Sequence, residues 1–382
     1  RFDEAVALLE KAIELKPDCP EAHNSLGNAL KAQGNLDAAI ASYRVASKLR
    51  PDSPDVHYTL GLALKAQGNL DAAIASYANA LRLRPGFADA HYTLGNALKE
   101  RGDLDAAIAS YGKALKLRPD YPAAHNNLGN GLKERGDLDA AIASYGKALK
   151  LRPNCPDTHN NLGNALQAKG SLDAAIASYG KALELKPHFP EAQGNLSMAE
   201  LLIGDYKRGW DRYEWRFQQK TSQGLLNAEP PQCPQWSGGV LGANDELLLI
   251  SEQGLGDTLQ FMRYALVLAR QGIQVSLCAP QKLHSLIRAS GIDATPLTPE
   301  QSNAVTRGRW LPLLSLPRHL EVGPGNPIIT EPYIKTTEEL GAKWQGILAG
   351  EKRPIIAINW QGNPEHETTN SRGRSLPLEA FA

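Results

Sequence analysis

The residues best suited to chemistry in this sequence form the short segment Glu252-Gln253-Gly254-Leu255-Gly256-Asp257, between an apolar run, ELLLI, and an amphipathic stretch, TLQFMRYALVLARQG. Two glycines let a backbone turn sharply and come close to a ligand, and a carboxylate at the start of the following helix is placed to take a proton from a hydroxyl group. A dinucleotide fingerprint would need a third glycine where Leu259 stands, and a Walker phosphate loop would need Gly-Lys-Ser/Thr, which is absent. What remains is a carboxylate that either acts as a general base or caps and complements the first turn of an ordinary helix.

Other polar residues recur through the first half. His23, His57, His91, His125 and His159 are spaced by 34 residues. One histidine per repeat suits packing better than metal binding, where ligands must converge, and no metal site is expected. Asparagines cluster just after them: Asn24, Asn28, Asn96, Asn126, Asn127, Asn130, Asn160, Asn161 and Asn164, with Tyr58 and Tyr92 interspersed. A carboxamide offers both a donor and an acceptor, so a row made of Asn28, Asn96, Asn127, Asn130, Asn161 and Asn164 can grip an extended peptide backbone. The competing reading is plain polar cover for a repeat surface.

The elements that position these residues follow from the period. Pro17, Pro51, Pro85, Pro119, Pro153 and Pro187 recur every 34 residues, as do Gly34, Gly68, Gly102, Gly136, Gly170 and Gly204. Five full repeats run from Pro20 to Phe189, preceded by half a repeat and succeeded by a divergent one. Each predicts two helices with apolar residues at helical spacing. Gly34 suits the left-handed position after the first helix. Asn35, Asn69, Asp103, Asp137 and Ser171 stand where the second helix is capped, and Pro51 and its equivalents stop that helix. Gly27, Ala39 and Ala46 permit close helix approach, with Leu26, Leu30, Ile40 and Tyr43 between the helices. This pattern resembles the tetratricopeptide-repeat (TPR) family over more than half the chain. The resemblance implies an α-helical solenoid, an α-α superhelix whose first helices line the inner surface. The asparagine row is similar to the ladder in the TPR region of O-GlcNAc transferases, which implies a protein or extended peptide in the groove.

After Pro187 the repeat decays, with Gln193 in place of the recurrent histidine and Ser197 in place of glycine. Such decay suits a capping repeat, and its Trp210, Tyr213, Trp215 and Phe217 are candidates to dock it on the domain C-terminal to it. Residues 218–243 read as a Pro/Gly-rich linker. From Asp245 the texture becomes strand, loop, helix, strand (IQVSLCAP) and helix (KLHSLIRASG), a βαβ order that predicts a parallel sheet. A connecting helix lies near Thr336 to Leu348, and RPIIAINWQGNP opens another strand. The expected organisation is a solenoid over 1–217, a linker over 218–243, an α/β Rossmann-like domain over 244–351 and the start of a second α/β domain over 352–382.

EQGLGDTLQFMRYALVLARQG, RWLPLLSLPRHL and NWQGNPEHETTNSRGRSLPL together resemble the TPR-linked relatives of ADP-heptose lipopolysaccharide heptosyltransferases. The resemblance implies a two-domain GT-B glycosyltransferase of hexosyl or heptosyl type, using a nucleotide-sugar donor as substrate and no cofactor. It makes Asp257 the base that deprotonates the acceptor hydroxyl, on the loop of Gly254 and Gly256. Arg374, with Ser375 and Arg372, would face the departing diphosphate, and Asn359, Gly362, Asn363 and His366 would shape the donor loop. Sugar transfer to a protein or glycan recruited by the repeats is thus the first expectation. The alternatives are a non-enzymatic TPR scaffold and an O-GlcNAc-type protein glycosyltransferase.

Composition sets outer limits. Of 382 residues, 42% are hydrophobic and 21% charged, and 41 Lys+Arg balance 41 Asp+Glu, which gives no polycation for nucleic acid. No apolar run reaches the length of a membrane span. Four scattered cysteines, Cys19, Cys155, Cys233 and Cys278, suggest a reduced, cytoplasmic setting. Both ends fall inside helical patterns, so further sequence is expected beyond each.

Overall fold

A computed structural model describes residues 2–218, 226, 228–252, 254–326, 333–335 and 338–348. The chain divides into two compact units, residues 1–185 and 186–382.

The first unit is a stack of helical hairpins. Helix α1 (Phe2–Leu15) precedes five pairs: α2 (Pro20–Ala32) with α3 (Leu36–Leu49), α4 (Pro54–Ala66) with α5 (Leu70–Leu83), α6 (Ala88–Arg101) with α7 (Leu104–Leu117), α8 (Pro122–Arg135) with α9 (Leu138–Leu151), and α10 (Pro156–Ala168) with α11 (Leu172–Leu185). Within a pair the tight connection depends on glycine: Gly34 has φ +86°, a conformation that side chains with a Cβ rarely adopt. Asn35 and Asn69 cap as expected, accepting from the amides of Ala38 and Ala72. Asp103 and Asp137 hold the same place without capping, because the guanidinium groups of Arg101 and Arg135 draw their carboxylates away.

Each pair closes on one tyrosine. Tyr43, Tyr77, Tyr111, Tyr145 and Tyr179 are fully buried, as are Ala39 and Ala46 and their equivalents nearby. The ring of Tyr145 lies against Gly129 so closely that a Cβ there would stand 2.6 Å from Cε1, and Gly27, Gly61, Gly95 and Gly163 meet their tyrosines in the same way. Consecutive first helices also approach one another, α4 to α6, α6 to α8 and α8 to α10. They therefore line the inner side of the stack, and the second helices form the outer side.

The second unit begins with α12 (Pro190–Leu202) and α13 (Tyr206–Tyr213), followed by a 3-10 turn at Glu214–Gln218. A three-stranded parallel sheet of order β2-β1-β3 is built from β1 (Glu246–Ile250), β2 (Gln274–Cys278) and β3 (Arg309–Pro312). The parallel sheet is as predicted, and β3 adds a strand that alternation in so short a run does not reveal. Helices α14 (Leu255–Phe261) and α15 (Arg263–Arg270) form the β1–β2 crossover as two pieces broken at Met262, where sequence periodicity suggests one. Shorter helices α16 (His284–Ala289), α17 (Pro299–Asn303) and α18 (Leu316–His319) come next, then α19 (Glu338–Leu348) in the place expected for the connecting helix. Within the Pro/Gly-rich stretch, Trp236 N–H donates to the Trp310 carbonyl at 2.8 Å and Trp310 N–H donates to Pro234 at 3.1 Å, so this stretch runs along the edge of β3.

Among the described residues, no helix is long and apolar enough to cross a membrane.

Candidate functional site

The asparagines of the first helices are held by the buried tyrosines behind them. Tyr43 Oη donates to Asn28 Oδ1 at 2.8 Å, Tyr111 to Asn96 at 2.9 Å, Tyr145 to Asn130 at 2.7 Å and Tyr179 to Asn164 at 2.8 Å. Because the amide oxygen is turned inward to the hydroxyl, the amide NH2 of each is presented away from the helix pair. Burial pushes the Tyr43 hydroxyl up to about 12 and raises those of Tyr111, Tyr145 and Tyr179 as well, so these groups remain neutral donors.

A second layer links the repeats. Asn127 Nδ2 donates to Asn96 Oδ1 at 2.8 Å and to Tyr92 Oη at 3.2 Å; Asn126 Nδ2 reaches Asn127 Oδ1 at 3.3 Å, and Asn161 Nδ2 reaches Asn126 Oδ1 at 3.2 Å. Asn127 and Asn161 are thus engaged with neighbouring repeats, whereas the NH2 groups of Asn28, Asn96, Asn130 and Asn164 make no hydrogen bond among the described residues. All six residues stand on first helices, and their hydrogen bonds divide them into two roles. Sequence spacing cannot separate those roles, because the bonds between repeats join residues 31 or 35 apart.

Repeat two breaks the row. Leu62 occupies the position of Asn28, Asn96, Asn130 and Asn164, and the buried hydroxyl of Tyr77 has no hydrogen-bond partner among the described residues. Aromatic contacts stand beside the row in repeats two and three: the ring of Tyr58 lies 4.8 Å from that of Phe87, and the ring of Tyr92 lies 4.9 Å from that of Tyr121. Arg84 and Arg118 cover Phe87 and Tyr121 and pair with Asp55 and Asp89. The recurrent histidines act locally. Each Nε2 lies 2.8–3.0 Å from the carbonyl oxygen of the proline six residues earlier, which accepts only, so each ring donates and ties down the interhelix turn.

In the second unit the glycine loop leaves the carboxyl end of β1, the central strand. Gly254 has φ +98°, which is what calls for glycine; a Cβ there would also stand 2.8 Å from Asp257 Oδ2, the movable end of a side chain. Gly256 differs from expectation: it lies within α14 with open space about it, and its backbone does not need glycine's freedom. Asp257 is an exposed residue of the first turn, and Gly254 holds the N-cap position. Asn359, Gly362, Asn363, His366, Arg372, Arg374 and Ser375 lie outside the described residues.

Beside that loop is a charge cluster that no motif announces. Arg216 donates from Nε and Nη2 to the two carboxylate oxygens of Glu252, each at 2.8 Å, and from Nη1 to Glu214 at 2.7 Å. Ser315 accepts from Arg216 at 2.8 Å, and the Leu314 amide donates to Glu252 at 3.2 Å. Since β1 and β3 end at Ile250 and Pro312, the guanidinium occupies the crevice where strand order reverses, the usual ligand position of an open α/β sheet. Of the expected docking aromatics, Trp210 and Tyr213 pack on the core beneath the sheet, while Trp215 meets His188 and Phe217 lies under Arg216.

Residues 1–34, 27–68, 61–101, 95–133 and 129–170 match the sequence model of the TPR repeat, and residues 156–189 match that of the tetratricopeptide repeat. Residues 1–170 therefore carry TPR repeats. No curated protein matches the chain. Solved structures similar to it include YrrB, a TPR protein with an unusual peptide-binding site, at 23% identity, covering 48% of this chain and 95% of that one with a TM-score of 0.44. MamA is 29% identical over 42% of this chain and 95% of its own, with a TM-score of 0.41. PilF of Pseudomonas aeruginosa is 19% identical over 52% of this chain and 90% of its own, with a TM-score of 0.46.

Proposed function

We propose that this chain, with TPR repeats over residues 1–170, is a protein-interaction scaffold whose first helices hold an extended peptide segment by its backbone. The observation that carries this reading is the fixed orientation of Asn28, Asn96, Asn130 and Asn164, each anchored through Oδ1 by a buried tyrosine. Donors held in place before binding lose little freedom when they engage, which is the general advantage of preorganisation. Peptide carbonyls, present in any extended segment, are the acceptors such NH2 groups suit.

The test is calorimetric titration of peptides selected from a displayed random library against wild type and the Asn130→Ala, Asn164→Ala double variant. Two lost hydrogen bonds at about 0.5–1.5 kcal/mol each predict a weakening of roughly 5- to 150-fold. Unchanged affinity for every selected peptide would leave the asparagines as polar cover.

A second reading is sugar transfer from a nucleotide-sugar donor, with Asp257 as base. The observation favouring it is the glycine loop at the carboxyl end of the central strand, where Asp257 is open to solvent. In a chain carrying the complete donor domain, Asp257→Asn should retain donor binding and slow transfer by about 100- to 10,000-fold. Undiminished transfer with a lowered melting temperature would assign Asp257 to its helix alone.

A further inference from the structure

The outer side of the same stack carries a second feature, independent of the asparagine row. Two grooves recur 34 residues apart. One, of about 580 Å³, has Leu81, Leu94 and Leu117 and the ring of His91 among its walls, with Arg82, Lys113 and Lys116 at its margin. The other, of about 540 Å³, repeats this with Leu115, Leu128, Leu151 and His125, and with Lys116, Lys147 and Lys150. Lys116 borders both, so the grooves adjoin. His91 and Leu94 face outward on α6, whereas Tyr92 and Asn96 lie on the opposite side of that helix, as about 100° per residue requires.

Charge marks this surface. Several cations elsewhere in the stack are neutralised in pairs, among them Arg84 with Asp55, Arg101 with Asp71, Arg118 with Asp89, Arg135 with Asp105, and Lys99 with Glu134. Arg82, Lys113, Lys116, Lys147 and Lys150 enter no ion pair among the described residues, and neither groove has a carboxylate in its lining. The positive run has a defined end. Glu184 takes the place held by Arg82, Lys116 and Lys150, and there it pairs with Lys181. A further mark is polar. With Nε2 donating to a proline carbonyl, Nδ1 is the lone-pair nitrogen of each imidazole, and in His91 and His125 it is buried with no partner among the described residues.

We propose that these adjoining outer grooves bind an acidic, amphipathic peptide segment of a partner protein. Its carboxylates meet the unpaired lysines and Arg82, and its apolar side chains enter the leucine-lined floors. The imidazoles of His91 and His125 line the two grooves, so a segment seated there packs against them. The surface is separate from the inner asparagine row, so one chain holds two segments of different chemistry, one by its backbone and one by charge.

The probe is a displayed library of random peptides selected on the full chain, followed by titration of individual peptides against two double variants. Lys113→Glu with Lys147→Glu reverses charge at two exposed positions that bear no ion pair, so folding is preserved; Asn130→Ala with Asn164→Ala addresses the inner row. A class of peptides rich in Asp, Glu and large apolar residues is expected, weakened by about tenfold or more in the lysine variant and by added salt, and unaffected by the asparagine variant. The imidazole nitrogen signals of His91 and His125 should shift on adding these peptides. The proposal is overturned if no selected peptide responds to charge reversal, or if every peptide that does also depends equally on the asparagines. Loss of asparagine-dependent peptides alone would count against the inner row and leave the outer grooves standing.

Discussion

Tyr77 makes a quantitative test of how the repeats are stabilised. In four repeats the buried tyrosine donates to an asparagine, as Tyr145 does to Asn130 at 2.7 Å; in repeat two Leu62 supplies no acceptor and Tyr77 Oη is unpaired among the described residues. Thr93 tempers the rise that burial imposes on the Tyr77 hydroxyl, yet its own hydroxyl is committed to the carbonyls of Asp89 and Ala90 at 3.0 and 3.2 Å. Tyr145→Phe removes one hydrogen bond, and because Asn130 is half-exposed its oxygen regains water, so the cost should be about 1 kcal/mol. Tyr77→Phe removes a desolvated group whose burial costs about 1–3 kcal/mol, so it should be neutral or stabilise by about 1 kcal/mol. For a body of this size 1 kcal/mol corresponds to roughly 2–4 °C in melting temperature. Urea unfolding of both variants gives the comparison, and Leu62→Asn supplies an internal control. In the Leu62→Asn background, Tyr77→Phe should change sign and cost about 1 kcal/mol. Equal losses for Tyr77→Phe and Tyr145→Phe in the native background would refute the reasoning.

Gly129→Ala should destabilise by about 1–3 kcal/mol although alanine favours helix by about 1 kcal/mol, because its Cβ meets the Tyr145 ring; Gly146→Ala, in open space, should stabilise. Arg216→Ala removes the guanidinium that pairs with Glu252, which is 1% exposed, and should cost about 3–5 kcal/mol in thermal unfolding of the second unit, against little loss for exposed Arg318→Ala. Burial lowers the pKa of His91, with the Pro85 bond opposing it. The unfolded chain therefore binds the proton first as pH falls through its ordinary value of about 6.5, and the contribution of His91, full above that pH, is lost below it. Wild type should show a lower urea midpoint at about pH 5.5 than at about 7.5, and His91→Gln should reduce that difference; an unchanged difference would exclude His91 as its source.

The sequence by itself determined the helical hairpins, their 34-residue period and the parallel character of the later sheet. Proline and glycine punctuation acts on the backbone within a few residues, and a buried tyrosine with its small neighbours recurs in each hairpin, so local rules suffice. The asparagine row was equally legible as a set of positions. Only tertiary structure divided it into anchored donors and linking residues, since that division depends on which neighbour each amide meets. It also placed Gly256 within the helix rather than the turn, and withdrew Asp103 and Asp137 from capping because the guanidinium groups of Arg101 and Arg135 compete for their carboxylates. Arg216, Glu252 and Ser315 are far apart in sequence and share no motif, and the outer grooves draw residues from three helices apiece. Such sites arise from the closing of separate segments on one another, and a charge or an orphaned nitrogen gains its meaning there only from what the fold places, or fails to place, beside it.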